Sequence, residues 1–293
     1  MSGRTLRFEV GADSNGKRVR AVLQAQFGLS AGLVTRLKHR PNSVRINGAA
    51  ARTIDMLHAG DVLEVDVGDE KPGAFAPGGA RLDVLWEDED ILIINKPAGV
   101  AVHGRSDHNE PTVGAMVASY LGTSAPFHPV NRLDRGTTGV MCAAKTGWMH
   151  DRLRRILHTD DFRREYLAIC AGVPPEREFV IDAPIAREGE AKRFCVSPDG
   201  APSLTRGEVL RVFDGMSLIR LRPETGRTHQ IRVHMASIGC PLVGDRLYAR
   251  ISLEIDRPAL HSAALTLVHP LTGERISVSA DMPEDMLALL PQA

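Results

Sequence analysis

The chain has 293 residues, 36 of them Lys or Arg and 36 Asp or Glu, so its formal net charge is zero. An apolar share of 43% and a charged share of 25% fit a globular protein with a buried core, and the length suggests about two domains. Neutrality argues against a uniformly basic nucleic-acid binder, and the lack of any apolar run near the roughly 20 residues that span a bilayer argues against a membrane protein.

Taken in chain order, Val22, Leu23 and Phe27 recur at helical spacing and Gly28 closes that helix. Ser30 caps a second short helix carrying Leu33, Val34 and Leu37. Asn47-Gly48 is a hairpin signal, because both residues accept positive φ, and Gly60-Asp61 turns into a strand over 62–67. Residues 68–80 read GDEKPGAFAPGGA, a Gly/Pro-rich linker composition. Strands are then expected over 82–86, 91–95, 140–144, 166–171, 179–185, 193–196, 208–213 and 217–221. Helices are expected over 112–121, 147–157 and 228–238. Short turns between most strands predict an α+β fold with a mixed, largely antiparallel sheet. The expected domains are 1–67, a linker 68–80, and 81–293.

Charge is uneven along this order. Between residues 16 and 52 stand Lys17, Arg18, Arg20, Arg36, Lys38, Arg40, Arg45 and Arg52 with no Asp or Glu, a local +8 that the remainder offsets. Cys142, Cys170, Cys195 and Cys240 lie far apart without a C-x-x-C pair, which predicts buried thiols in a reducing compartment and no metal site. Met1–Thr5 carries no signal-like apolar region, so a cytoplasmic protein is expected. No phosphate-binding glycine loop occurs, and no cofactor is expected.

Four polar clusters could carry chemistry. In Asn131-Arg132-Leu133-Asp134-Arg135-Gly136-Thr137-Thr138-Gly139 one carboxylate sits between two arginines, which favour its ionised form. By spacing alone a salt-bridged loop is the plainer reading, and a nucleophile or electrostatic stabiliser is the other. Gly226-Arg227-Thr228-His229-Gln230-Ile231-Arg232-Val233-His234 opens a helix whose Ile231, Met235 and Ile238 form an apolar stripe. Phosphate contact and a surface network are equally good readings of its polar residues. Lys96-Pro97-Ala98-Gly99 turns the chain toward His103, and Arg164-Glu165-Tyr166 starts a strand with one of only three tyrosines. A structural turn and a core ring are the plain alternatives there.

In this order the clusters resemble one pattern. K-P-x-G-x-x-V-H, [HN]-R-L-D-x-x-T-[ST]-G, R-x-Y, G-R-T-H-Q-I-R-V-H and G-x-P-L-x-G-D, here completed by Cys240-Pro241-Leu242-Val243-Gly244-Asp245, are similar to the large-ribosomal-subunit pseudouridine synthase family of the D type. The likeness runs from residue 82 to about 290. Residues 13–67 resemble the small S4-like RNA-binding domain that precedes such catalytic domains. Asn131 stands where many members have His.

The resemblance implies a cofactor-independent isomerase. It would flip a uridine out of its stack, break the N1–C1′ bond and join C5 to C1′. It implies Asp134, Tyr166 and Arg232 as catalytic residues. Asp134 would attack C1′ or generate a glycal, Tyr166 would pack on the uracil and assist proton loss from C5, and Arg232 would pair with the aspartate. Arg132, Arg135, Arg227 and His103 would bind substrate. Lys17, Arg18, Arg20, Arg36, Lys38, Arg40 and Arg45 would grip RNA phosphates. The implied partner is RNA, 23S rRNA or a pre-50S particle, for a monomeric enzyme. A synthase acting on tRNA or another rRNA site, a non-catalytic RNA-binding assembly factor, and an N-glycoside hydrolase are the rivals. The last would want a second catalytic carboxylate.

Overall fold

The computed structural model describes residues 3–69, 71, 73–103, 112–123, 125–189, 193–249 and 255–291. Glu70 and Pro72 of the expected linker lie outside these.

The N-terminal unit begins with β1 (Thr5–Glu9), which the sequence reading missed, and a one-turn 3-10 helix at Ala12–Ser14. Next come α1 (Val19–Phe27) and α2 (Ala31–His39). Gly28 closes α1 in the left-handed region at φ 59°, and Ser30 accepts the Leu33 N–H as the cap of α2. Strands β2 (Val44–Ile46), β3 (Ala49–Ala50) and β4 (Val62–Asp66) complete a sheet of order β1-β4-β2-β3. Asn47 and Gly48 take the positive φ values the hairpin requires.

The second unit holds β5 (Val84–Glu87), β6 (Ile91–Lys96), α3 (Val113–Leu121), β7 (His128–Pro129), β8 (Thr138–Ala144), α4 (Gly147–Ile156) and β9 (Phe162–Ala171). It continues with β10 (Glu178–Asp182), β11 (Ile185–Arg187), β12 (Phe194–Val196), β13 (Leu204–Phe213), β14 (Met216–Pro223) and α5 (Gln230–Ser237). It ends with β15 (Leu260–Val268), β16 (Arg275–Ser279) and α6 (Glu284–Leu287). The strand expected over 179–185 divides at Ala183-Pro184: β10 stays in the large sheet, while β11 pairs only with β12. The large sheet runs β10-β13-β14-β9-β15-β8-β6-β5, with β16 on β15 and β7 on β8. Every pairing between these strands is antiparallel except β15 with β8, where His261 and Ser262 oppose Thr138 and Gly139. The α+β architecture with a mixed, largely antiparallel sheet stands as expected.

Both faces of this sheet are buried, which explains continuous apolar runs such as Ile91-Leu92-Ile93-Ile94. Leu92, Ile94, Met141, Ala143 and Tyr166 share one core with Val113 and Met116 of α3 and with Ile231 and Met235 of α5. Ile91, Ile93, Val140, Cys142 and Phe162 share the other with Trp148 and Leu153 of α4 and with Val22, Leu23, Phe27 and Leu37 of the N-terminal unit. The two units thus close one apolar cluster between them. Trp148 Nε1 donates to the Phe27 carbonyl at 3.1 Å, Arg152 donates to the same oxygen, and Arg155 donates to Gly28 O at 3.1 Å. Cations at the carbonyl end of α1 oppose its partial negative charge. Among its described residues the segment joining the units has no helix or strand, but Asp69 bonds His128 at 3.0 Å, and Phe75 packs edge-on to Phe127 at 5.9 Å.

Three cysteines are buried as expected, while Cys195 is only half-buried. Ile238, placed by its spacing on the apolar stripe of α5, lies after the last helical residue and is 36% exposed. Among the described residues, no helix is long and apolar enough to cross a membrane.

Candidate active site

The residues that begin β8 hold the first part of the site. Gly139 has φ 103° and lies against β15; a Cβ there would meet Ser262 O at 2.2 Å, so glycine is required. Thr138 Oγ1 and His261 Nδ1 are 2.9 Å apart, and His261 Nε2 donates to Ala280 O at 3.0 Å. His261 Nδ1 must therefore accept the Thr138 hydroxyl. With β8 pinned on both sides, the loop before it presents Asp134 to a cleft of about 770 Å³.

The Lys-Pro turn buttresses that loop. Lys96 is fully buried; its Nζ donates to Pro97 O at 2.8 Å and to Arg135 O at 3.2 Å. Burial pushes its pKa down to about 8, against the pull of Asp134. Arg135 Nε donates to Gly99 O at 2.8 Å, which ties the two loops together.

Arg232 reaches Asp134 from α5, 98 residues away in sequence, with Nη1 donating to Oδ2 at 3.0 Å. Its Nε and Nη2 form a bidentate pair with Asp245 at 2.7 and 2.9 Å. The Asp245 side chain is fully buried, and its Oδ1 also accepts the Leu247 N–H at 3.1 Å. Burial opposes the Arg232 charge, but Asp245 and then Asp134 outweigh it and raise the guanidinium pKa. The Tyr248 ring lies 5.1 Å below the guanidinium carbon. Arg232 is therefore locked in direction before any substrate arrives.

Tyr166, on β9 opposite Leu221 and Ser262, lines the cleft with 6% exposure. Burial raises its phenol pKa, with Arg164, Ser262 and Asn131 acting in the opposite direction. Asn131 accepts the Cys142 N–H at 2.8 Å, so it also fixes the loop to β8.

The structure brings all seven proposed catalytic and substrate residues to this cleft: Asp134, Tyr166, Arg232, Arg132, Arg135, Arg227 and His103. His103 is exposed and stacks on Phe75 at 5.9 Å. Arg227 is exposed, with Nε donating to Pro202 O at 3.2 Å. Two polar residues of the same motif have framework contacts. Gln230 receives the Arg227 N–H at 3.0 Å and donates to Leu204 O and Thr205 Oγ1, while His234 Nε2 donates to Ala183 O at 2.9 Å.

Sequence reasoning missed the contribution of α4. Its His150 and Arg154, followed by Leu157 and His158, line the cleft, while Trp148, Arg152 and Arg155 face α1. The helical spacing of these two sets was visible, but which face met the cleft was not. Arg154 and the buried Arg164 bring the lining arginines to six, against Asp134 as the one carboxylate among the described lining residues. Such a cleft focuses positive potential on a phosphate chain.

The proposed phosphate-gripping residues divide. Lys17, Arg18, Arg20, Arg36 and Lys38 are exposed on or beside α1 and α2. Arg40 instead pairs with Asp66 and donates to Gly68 O at 2.9 Å, and Arg45 pairs with Glu64 at 3.3 Å. Among the described residues no group of three or more acidic, His or Cys side chains could hold a metal.

Residues 90–237 match the family model described as RNA pseudouridylate synthase. Ribosomal large subunit pseudouridine synthase D of Pseudomonas aeruginosa is 36% identical over 263 residues, 84% of this chain and 82% of that protein. An uncharacterised RNA pseudouridine synthase of Bacillus subtilis is 36% identical over 90% of this chain and 95% of its own length. The solved human RNA pseudouridylate synthase domain containing 4 aligns with a TM-score of 0.58 at 25% identity, covering 70% of this chain and 90% of that one. A cleft with one held aspartate among six arginines, a matching fold and relatives aligned over most of their length agree on one conclusion: the chain belongs to the RNA pseudouridylate synthase family and is an RNA pseudouridine synthase, an isomerase.

Proposed function

We propose that this enzyme isomerises uridines of large-subunit rRNA, with Asp134 as the reacting carboxylate and residues 1–67 as an S4-like RNA-binding domain. The observation that carries the catalytic reading is the Arg232–Asp134 contact at 3.0 Å inside an arginine-lined cleft. The rRNA target is supported by the name and similarity of the large-subunit synthases from Pseudomonas aeruginosa and Escherichia coli, each 36% identical.

On this reading the arginines hold the backbone of a displaced nucleotide, and its uracil enters over Tyr166. The guanidinium of Arg232 pairs with Asp134 and holds it in the cleft, whether the carboxylate attacks C1′ or generates a glycal. The raised phenol pKa keeps Tyr166 protonated in the resting enzyme, which favours its packing role. The exposed cations of α1 and α2 add phosphate contacts away from the cleft.

The test is a pseudouridine map of cellular RNA from a strain lacking the protein, repeated with wild-type and Asp134→Asn copies restored. Large-subunit sites that disappear, return with wild type and stay absent with Asp134→Asn are expected. Loss of sites only in tRNA would overturn the target, and restoration by Asp134→Asn would overturn the catalytic role.

A further inference from the structure

The helix-opening motif contains a strained residue that the roles above leave unused. His229 has φ 56° and ψ 19°, a left-handed conformation that L side chains rarely adopt, and it makes no side-chain cap to α5. Its ring turns instead into the cleft wall. Nδ1 lies 2.9 Å from Tyr248 Oη, and Nε2 lies 3.8 Å from Asp134 Oδ2. Phe194 and Tyr248 present ring contacts to it at 5.7 and 5.6 Å.

The hydrogen bonds favour one tautomer. Tyr248 Oη already accepts the Phe194 N–H at 2.9 Å. Its own proton is then best donated to His229 Nδ1, which leaves the imidazole proton on Nε2, facing Asp134. Burial lowers the imidazole pKa, against the pull of Asp134, so the neutral ring is favoured. Asp134 Oδ2 is consequently flanked by Arg232 Nη1 at 3.0 Å and by His229 Nε2 at 3.8 Å. Both approaches fall on the same carboxylate oxygen.

We infer that His229, oriented by Tyr248, is a positioning residue that works with Arg232 to fix the rotation of the Asp134 carboxylate, holding Oδ2 and leaving Oδ1 as the atom that reacts. This rests on Asp134 being the reacting carboxylate. In the substitution route an Oδ1 electron pair forms the bond to C1′, and the N1–C1′ pair departs with the uracil. After the base turns, C5 bonds to C1′, the carboxylate leaves, and the proton lost from C5 balances the one gained at N1. In the glycal route the same oxygen would take the C2′ proton and later return it. Both need one carboxylate oxygen held and the other directed at the ribose.

The test uses total RNA from cells lacking the protein, with tritium at uridine C5, under single-turnover conditions. His229→Asn keeps a side chain that tolerates positive φ but is too short to reach Asp134, and Tyr248→Phe removes only the orienting hydroxyl. Each should slow tritium release at saturating enzyme by on the order of tenfold to a hundredfold, with RNA affinity within about twofold of wild type. His229→Gln, which can restore an N–H toward Asp134, should recover part of the rate. Nitrogen-15 spectra of labelled histidine should show His229 protonated on Nε2 and switched or mixed in Tyr248→Phe. Wild-type rates in both His229→Asn and Tyr248→Phe, or a ring protonated on Nδ1, would overturn the inference. An active Asp134→Asn control would instead overturn the catalytic reading beneath it.

Discussion

Cations gather in two regions of this molecule, under opposite physical rules. On α1 and α2, Lys17, Arg18, Arg20, Arg36 and Lys38 project into water from an otherwise ordinary helical pair. At the cleft, Arg232 in its wall and Lys96 beneath the Asp134 loop are buried, and each is committed to named acceptors, Arg232 to Asp245 and Asp134, Lys96 to two carbonyls. Exposed charges act at a distance and are screened by salt, whereas desolvated, hydrogen-bonded charges act over one bond length and hold direction. The first arrangement suits gripping a long polyanion, the second aiming one carboxylate.

The comparison can be broken most severely at the aimed end. Asp134→Asn keeps the shape but removes the ionised oxygen, and turnover should fall on the order of 10⁴-fold or more with RNA binding retained. Rate and affinity measured separately on the same RNA check this. Asp245→Asn should come next. It leaves the Arg232 guanidinium buried beside a neutral amide, and removing one member of a buried pair typically costs about 3–5 kcal/mol. Denaturant unfolding should register that cost, and the aim of Arg232 at Asp134 should degrade with it.

At the gripping end the effects are smaller. Reversal of Arg36 and Lys38 to Glu should lower the salt slope of RNA affinity by roughly 0.7–0.9 for each phosphate no longer held, while the rate for bound RNA stays near wild type. Titrations at several salt concentrations decide it, and an unchanged slope would remove α2 from the RNA path. Arg40 is a poor choice for this test, since its reversal would also break the pair with Asp66.

The last test concerns Lys96 and reads stability against pH rather than activity. Its folded pKa is depressed from 10.5 to about 8, so between those values the unfolded chain carries a proton that the folded chain lacks. Stability from this position must therefore rise with pH across that window. Wild type should gain on Lys96→Met as unfolding is followed from pH 8 to pH 10.5. A constant difference would mean that the lysine titrates as it does in water.

Local features made half of this comparison legible from sequence. The acid-free run between residues 16 and 52 is visible as a string of letters, and so are the caps of α1 and α2 and the Asn47-Gly48 turn. The Asp134, Tyr166 and Arg232 motifs were legible as a set only through their order, which resembles that of a known family; each alone admitted a structural reading. Their pairings were not, although Asp245 closes the last of the quoted motifs. Asp245 lies 13 residues past Arg232, Tyr248 lies 19 past His229, and nothing in the intervening Gly-Cys-Pro stretch announces that the chain folds back beneath the helix. β15 and β16 were also missed, although the Pro270 to Gly273 turn between them is a hairpin signal; β15 takes its register from β9 and β8, and β16 takes its register from β15. Arg40 and Arg45 show the converse error, since composition counts a charge without seeing the Asp66 or Glu64 beside it.

The shared apolar cluster between the units has a consequence for how the chain could be cut. Trp148 and Leu153 are almost wholly shielded, in a cluster completed by Phe27, Leu37 and their neighbours. A version starting near residue 81 would uncover a contiguous apolar surface and leave the Trp148 indole N–H without the Phe27 carbonyl. Such a fragment should self-associate, even though every residue of the cleft is still present. The N-terminal unit is thus a lid on the foundation beside its proposed role as a hand for RNA, and deletion scanning would confuse the two unless colloidal state is measured beside activity.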